Sequence, residues 1–221
     1  MADTDNLNLM QLQQLMLAKR LATHGKSFDP CAHMHPELKR RYRNLFSFYD
    51  KTGDGQLVFA DDLAPVADAI DARWGNNKRP FPNLLKLLYA TYQKENSNRD
   101  LNNDGQVEPD EFVEAHERVV NNFQAVPDKA RAFIRQAAGG FFSCLDLDQD
   151  GWLSPDDLAA YAEAYGHPSD WVETNLNTML EMLGKPLGRI DLETFLLLIE
   201  QYWFDPSPNV PGARLFGRSP E

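Results

Sequence analysis

Apolar residues recur at helical spacing through most of the chain, in segments separated by short stretches rich in Asp, Asn and Gly. The pattern predicts a helix that enters and a helix that leaves each polar stretch. The predicted helices span residues 36–49, 59–73, 83–99, 109–124, 128–145, 155–165, 169–182 and 192–203. We therefore expect an all-α fold made of four helix-loop-helix units, which associate as two pairs.

Three of the polar stretches follow the same order of residue types over twelve positions. Acidic or small polar residues alternate at the start, Gly is sixth, an aliphatic residue is eighth and a carboxylate is twelfth. The stretches are 50–61 (DKTGDGQLVFAD), 100–111 (DLNNDGQVEPDE) and 146–157 (DLDQDGWLSPDD). This order is that of the EF-hand calcium loop, because Ca²⁺ takes six to eight oxygen ligands and a short loop must curl around it to supply them.

The predicted ligands are the oxygens of the first, third, fifth, seventh and twelfth positions, and the seventh acts through its backbone carbonyl. They are Asp50, Thr52, Asp54, Gln56 and Asp61; Asp100, Asn102, Asp104, Gln106 and Glu111; and Asp146, Asp148, Asp150, Trp152 and Asp157. The ninth residue usually acts through water, and of the three only Glu108 would add a charge. We expect three Ca²⁺ sites.

The segment 183–194 (LGKPLGRIDLET) keeps the glycine and the aliphatic position of such a loop but lacks its ligands. The residues at its first, third, fifth and twelfth positions are Leu183, Lys185, Leu187 and Thr194. We expect a metal-free fourth hand that pairs with the third, since paired loops exchange backbone hydrogen bonds in a short antiparallel ladder. The predicted partners are Leu57 with Val107 and Leu153 with Ile190.

These loops resemble those of the invertebrate sarcoplasmic calcium-binding proteins and their calexcitin-like relatives. The resemblance rests on three complete loops followed by the degenerate fourth, and on the closing stretch NVPGARLFG, and it covers residues from about 36 to 216. It implies a four-hand protein with a buried hydrophobic core. Such a protein would act as a cytosolic Ca²⁺/Mg²⁺ buffer or, in the calexcitin-like branch, as a signalling protein.

Changes in composition divide the chain into four segments. They are an N-terminal helix and loop (1–35), a first EF-hand pair (36–125), a second pair with the degenerate hand (126–204) and a Pro/Gly-rich C-terminal tail (205–221). The amphipathic pattern over 7–21 predicts the N-terminal helix. Pro127 marks the boundary between the pairs, because the residue before a proline disfavours helical geometry.

The chain carries 33 Asp and Glu against 22 Lys and Arg, a formal charge of −11. Eleven of these acidic residues, counting Glu108, stand at predicted ligand positions of the loops. The acidic residues that remain equal the basic residues in number. A negative field disfavours nucleic acid and anionic membranes as partners. There is no apolar run of the roughly 20 residues that a membrane span needs, and no signal peptide pattern. We expect a cytoplasmic monomer that is not an enzyme, since no nucleophile motif or phosphate-binding loop is present.

Three functional classes compete. A Ca²⁺/Mg²⁺ buffer is favoured, because six Met against 13 Phe and 4 Trp indicate a stiff aromatic core. The closing Asp of the first and third loops is shorter than Glu, so Mg²⁺ is expected to compete mainly there. The alternative is a Ca²⁺ sensor that changes conformation to engage a protein target. A luciferin-binding or photoprotein-like protein is the third reading, suggested only by the residue types of His167, Trp171, Tyr202 and Trp203.

Two other groups of residues have side chains that can bind metals or protons. Cys31, His33 and His35 alternate within one short loop and offer ligands for Zn²⁺ or Cu, but no second cluster completes a closed site, so a solvated linker is the better interpretation. His116 is expected to be a lone surface residue.

Overall fold

Helices and polar loops alternate along residues 34–217, which are the part of the chain described by the computed structural model. Eight α-helices lie within this range: α1 Pro36–Tyr49, α2 Ala64–Trp74, α3 Leu84–Arg99, α4 Pro109–Ala125, α5 Pro127–Leu145, α6 Pro155–Ala164, α7 Val172–Met182 and α8 Leu192–Phe204. Two short strands, β1 Trp152–Leu153 and β2 Ile190–Asp191, complete the fold. The expected all-α architecture of four helix-loop-helix units is confirmed.

Prolines set the starts of four helices. α1, α4, α5 and α6 all begin with Pro, where the missing N–H costs nothing and the fixed φ suits the helix. The exit from the first loop differs from the other exits. There the chain forms one π-helical turn, Phe59–Leu63, before α2 begins.

The loops associate in pairs through their eighth residues. Leu57 and Val107 exchange two backbone hydrogen bonds with N···O distances of 2.9 and 3.1 Å. β1 and β2 pair antiparallel, with Leu153 opposite Ile190. All four side chains are buried, so each ladder also joins the loops to the core. The predicted pairing of the first loop with the second, and of the third with the fourth, is confirmed.

Two clusters of buried side chains form the core. The larger cluster combines helices from both halves of the chain and includes Phe48, Ile70, Trp74, Leu84, Leu176 and Leu198. The smaller cluster is built on α1 and α4 and includes Leu38, Tyr42, Leu45, Phe112 and Tyr202. Because helices of the first two hands and of the last two hands contribute to the same cluster, residues 34–217 pack as one unit.

The C-terminal segment is docked on α7 and α8. It contains a short 3₁₀-helix, Pro211–Arg214, although its Pro and Gly content predicts no regular structure. The Asn175 side-chain amide donates to the carbonyls of Arg214 at 3.0 Å and Gly217 at 2.9 Å. A Cβ on Gly212 would overlap the Leu198 carbonyl oxygen, so only glycine fits this contact. Long-range contacts therefore order the segment.

The prediction for His116 is wrong, because its ring is buried between those of Tyr42, Phe112 and Trp203. Burial lowers the pKa of its imidazole to about 3. The sequence places this histidine on the apolar face of α4, four residues after Phe112, and its Nδ1 lies 2.6 Å from the Phe112 carbonyl oxygen.

Two predictions concern residues outside the described range. The N-terminal helix over 7–21, together with Cys31 and His33, lies in the segment 1–33, and residues 218–221 are also outside. His35 is described: it is exposed, and its Nδ1 accepts from the Glu37 amide at 3.2 Å at the start of α1. None of the described helices is long and apolar enough to cross a membrane.

Candidate metal centres

Each of the first three loops begins with an Asp that follows directly on an entering helix, α1, α3 or α5. One oxygen of that Asp accepts a hydrogen bond from the amide of the sixth-position glycine. The pairs are Gly55 to Asp50 at 2.9 Å, Gly105 to Asp100 at 3.0 Å and Gly151 to Asp146 at 3.0 Å. The glycines have φ of +85°, +91° and +83°, a conformation that costs little only for Gly. The glycine turn therefore aims the first carboxylate into the loop.

The third loop gathers three carboxylates at its start. One oxygen each of Asp146, Asp148 and Asp150 lies within 4.8 Å of the others. Burial, together with the neighbouring Asp148, raises the pKa of Asp146 above its usual value. Mutual repulsion of this kind is relieved by a cation bound among the oxygens. The arrangement therefore suits a divalent ion.

The third loop closes through Asp157. Its Oδ2 accepts from the Ser154 amide at 3.1 Å and from the Ser154 hydroxyl at 2.7 Å, while the Asp157 amide donates back to that hydroxyl. This reciprocal arrangement is a capping box at the start of α6. The same contacts hold the closing carboxylate at the loop.

Two arginines from other hands contact ligand carboxylates of the third loop. Arg73, at the end of α2, donates to Asp157 Oδ1 at 3.1 Å. Arg189, in the degenerate fourth loop, lies 3.4 Å from Asp150 Oδ2, and its guanidinium stacks over the Trp152 ring. An ion that binds this loop must compete with both guanidinium groups for the carboxylates. Nothing in the local sequence of the loop indicates these contacts.

The second loop closes through Glu111 with both carboxylate oxygens engaged. Oε1 accepts from the amides of Leu101 and Asn102, each at 3.1 Å, and Oε2 accepts from the Glu108 amide at 3.2 Å. The longer Glu side chain spans from α4 to the start of the loop. Asp104 Oδ1 accepts from the Gln106 amide at 2.9 Å, which orients the fifth-position carboxylate.

The first loop departs from the prediction at its closing residue. Asp61, the expected ligand, is exposed and its side chain makes no hydrogen bond with any described residue. The next residue, Asp62, is 1% exposed and accepts from the Thr52 amide, the Thr52 hydroxyl and the Val58 amide. The π-helical turn explains the difference, because it adds one residue to the first turn after the loop. The sequence offers two adjacent Asp, and spacing alone does not indicate which of them contacts the loop.

The fourth loop retains the glycine turn of the other loops but lacks their oxygen ligands. Its Gly188 has φ of +92°, but the glycine amide donates to the Asn177 side chain at 3.0 Å rather than to a first-position carboxylate. Asp191 Oδ1 accepts from the Thr194 amide at 2.8 Å and is used as a helix cap. These contacts fit a hand that takes part in pairing without a metal.

The donors of the first three loops are carboxylate, hydroxyl, amide and carbonyl oxygens, with no nitrogen or sulfur ligand. Hard cations such as Ca²⁺ and Mg²⁺ prefer oxygen ligands, whereas Zn²⁺ is usually held by Cys and His. The residues present therefore fit Ca²⁺ or Mg²⁺.

Comparison with known proteins agrees with this geometry. The EF hand family model matches residues 100–115, which contain the second loop. No curated protein sequence matches the chain.

Solved structures with the same fold include three calcium-binding proteins. Calcium-loaded apo-aequorin from Aequorea victoria has a TM-score of 0.57 at 19% identity, covering 84% of this chain and 99% of that chain. A sarcoplasmic calcium-binding protein from amphioxus has a TM-score of 0.54 at 18% identity, covering 85% and 100%. The Mg²⁺-loaded form of the ctenophore photoprotein berovin, in which all three Ca²⁺-binding loops bind magnesium, has a TM-score of 0.56 at 16% identity, covering 90% and 99%.

The likeness therefore extends over most of each chain, and all three of these proteins are named as binding calcium. Residues 100–115 match the EF hand family model, and the fold of the chain is similar to that of a sarcoplasmic calcium-binding protein.

Proposed function

We propose that the chain binds Ca²⁺ in its first three loops and acts as a monomeric cytoplasmic Ca²⁺/Mg²⁺ buffer. The observation that carries the proposal is the contrast among the four loops. Three direct the sixth-position amide at a first-position carboxylate, whereas the fourth directs it at Asn177. When bound, the ion would supply positive charge that balances the loop carboxylates. The chain supplies the oxygens, holds them in place through glycine turns and helix caps, and buries the paired eighth residues beneath them.

The packing supports a buffer more than a sensor. A sensor opens a Met-rich apolar groove when it binds Ca²⁺. Here the larger core cluster joins helices from both EF-hand pairs and contains many aromatic rings. The large hydrophobic residues that are exposed in the described range are single residues on separate elements: Val126, Met182, Leu187 and Leu197. Opening one pair would therefore disrupt the core of the other.

We predict that the second loop is the most Ca²⁺-selective. Glu111 reaches the loop with both oxygens, while the closing Asp of the first and third loops is shorter by one methylene and suits the smaller, six-coordinate Mg²⁺. Calorimetric titration with Ca²⁺ should give three sites without Mg²⁺, and one site that is little affected by millimolar Mg²⁺.

Two matched variants assign that site. Glu111→Gln should remove the Mg²⁺-insensitive site, and Asp157→Asn should remove a Mg²⁺-sensitive one. Equal Mg²⁺ competition at all three sites would contradict the assignment, and an absence of Ca²⁺ heats would contradict the proposed function itself.

The alternative function is that of a Ca²⁺ sensor with a protein target. The fluorescence of the dye ANS, which rises when apolar surface becomes exposed, separates the two. For the buffer, we expect no increase when Ca²⁺ is added to the Mg²⁺-loaded protein, because the shared core stays closed. A strong increase would favour the sensor.

The third candidate function, that of a luciferin-binding or photoprotein-like protein, is supported only by the similarity of fold. Two of the residues that suggested it already have partners in the core. The His167 ring stacks on the Phe48 ring with centroids 4.5 Å apart, and the Tyr202 hydroxyl donates to the Arg41 carbonyl at 3.0 Å. A partly open cavity lined by Trp171 measures about 30 Å³, which is the volume of a single water molecule in the liquid. Residues lining it include Phe48, Tyr161, Trp171 and Phe216.

A further inference from the structure

The helix that leaves the first loop begins with an unusual backbone turn. The Ala64 amide donates to the Phe59 carbonyl, five residues earlier, which closes a π-helical turn. The amides of Asp61 and Asp62 both point to the Val58 carbonyl, at 3.2 and 2.9 Å. A π turn holds one residue more than an α-turn, so every later side chain is displaced by one position around the helix, about 100°.

This displacement moves Asp62 to the place that the twelfth residue takes in the other loops. In the second and third loops the ninth-position amide, of Glu108 or Ser154, donates to the twelfth residue. In the first loop the ninth-position amide of Val58 donates to Asp62 Oδ2 at 2.8 Å. Asp62 is the thirteenth residue, and it makes the contact that closes the loop.

The hydroxyl of Thr52 connects Asp62 to the start of the loop. Thr52 Oγ1 lies 3.2 Å from Asp62 Oδ1 and 3.3 Å from Asp50 Oδ1. The first, third and thirteenth side-chain oxygens therefore meet on one side of the loop. Asp61 points to solvent from the same turn.

The buried negative charge of Asp62 is a second reason to expect a bound cation in the first loop. The carboxyl group is 1% exposed, and the described part of the chain places no Lys, Arg or His within ion-pair distance of it. Its counterpart in the third loop, Asp157, has Arg73 at 3.1 Å. A buried carboxylate without a positive partner is costly, and a bound divalent ion removes that cost.

We propose that the first loop is a thirteen-residue calcium loop that closes through Asp62, with Asp61 outside the coordination sphere. The inference rests on the proposed function, because it assigns a ligand to an ion that the loop is proposed to bind. The ligands of this loop are then Asp50, Thr52, Asp54, the Gln56 carbonyl and Asp62.

The test follows each loop separately by NMR in the full chain. The amides of Gly55, Gly105 and Gly151 each donate to the first carboxylate of their own loop, so their ¹H–¹⁵N signals report on the three sites during a Ca²⁺ titration. Asp62→Asn should raise the Ca²⁺ concentration at the midpoint of the Gly55 response by about 100-fold or more, since loss of an outer-shell partner alone costs about 10- to 100-fold in affinity. The matched variant Asp61→Asn should leave its midpoint within about twofold, because the side chain is exposed.

The other two glycines are internal controls. Normal Gly105 and Gly151 responses in Asp62→Asn show that the variant is folded. If that variant does not fold, Asp61→Asn still decides, since a loss of the Gly55 response there overturns the proposal. A Gly55 response that is unchanged in Asp62→Asn also overturns it. If no glycine responds to Ca²⁺ in the wild-type chain, the proposed function fails instead.

Discussion

Removal of Ca²⁺ is expected to lower the free energy of unfolding by about 8 kcal/mol, when the starting free Ca²⁺ is a hundred times the dissociation constant of each of three sites. Each site contributes about 2.7 kcal/mol at that ratio, because the ion binds the folded loops and not the unfolded chain. Without the ion the folded state also holds like charges in proximity, as in the cluster of Asp146, Asp148 and Asp150. The effect should therefore be the largest single change in stability for this protein.

Thermal unfolding followed by circular dichroism in EDTA and in excess Ca²⁺ measures the effect. The control is the triple variant Asp50→Asn, Asp100→Asn and Asp146→Asn, which removes the first ligand of every loop and should abolish the difference. A melting temperature of the wild-type chain that does not respond to chelator would refute the prediction.

Arg41→Met is expected to destabilise the folded state by about 3 kcal/mol, because it leaves buried acceptors without a donor. The Arg41 side chain is 1% exposed and reaches from α1 to the C-terminal end of α8. It donates to the carbonyls of Gln201 at 3.1 Å, Asp205 at 2.6 Å and Ser207. Met has a similar length but no N–H groups, so these contacts are lost while most of the volume is kept.

The neighbouring Arg40 provides the matched control. Both arginines pair with Glu37, but the Arg40 side chain is 42% exposed, so Arg40→Met should cost less than about 1 kcal/mol. Urea unfolding of both variants in saturating Ca²⁺ compares them without a contribution from changed metal occupancy. Equal losses in the two variants would show that the buried carbonyl contacts do not hold the end of α8 to α1.

The amino-acid sequence by itself determined the helices, the loops and their pairing. These features follow from local rules: apolar spacing sets each helix, Pro marks helix starts, and Gly at the sixth position permits the loop turn. The ladder partners follow as well, since the eighth residue of each loop is an aliphatic that the core must bury. The lack of ligands in the fourth loop was also evident from its residue types.

Tertiary structure decided the contacts that depend on a shift of one residue or on distant segments. Asp62, rather than Asp61, contacts the first loop because of a π-helical turn that residue types did not indicate. Arg73 meets Asp157 across 84 residues of sequence, and Gly212 fits against α8 only because the C-terminal segment returns to it. Local patterns specify which elements form, whereas packing between distant elements determines which side chains meet.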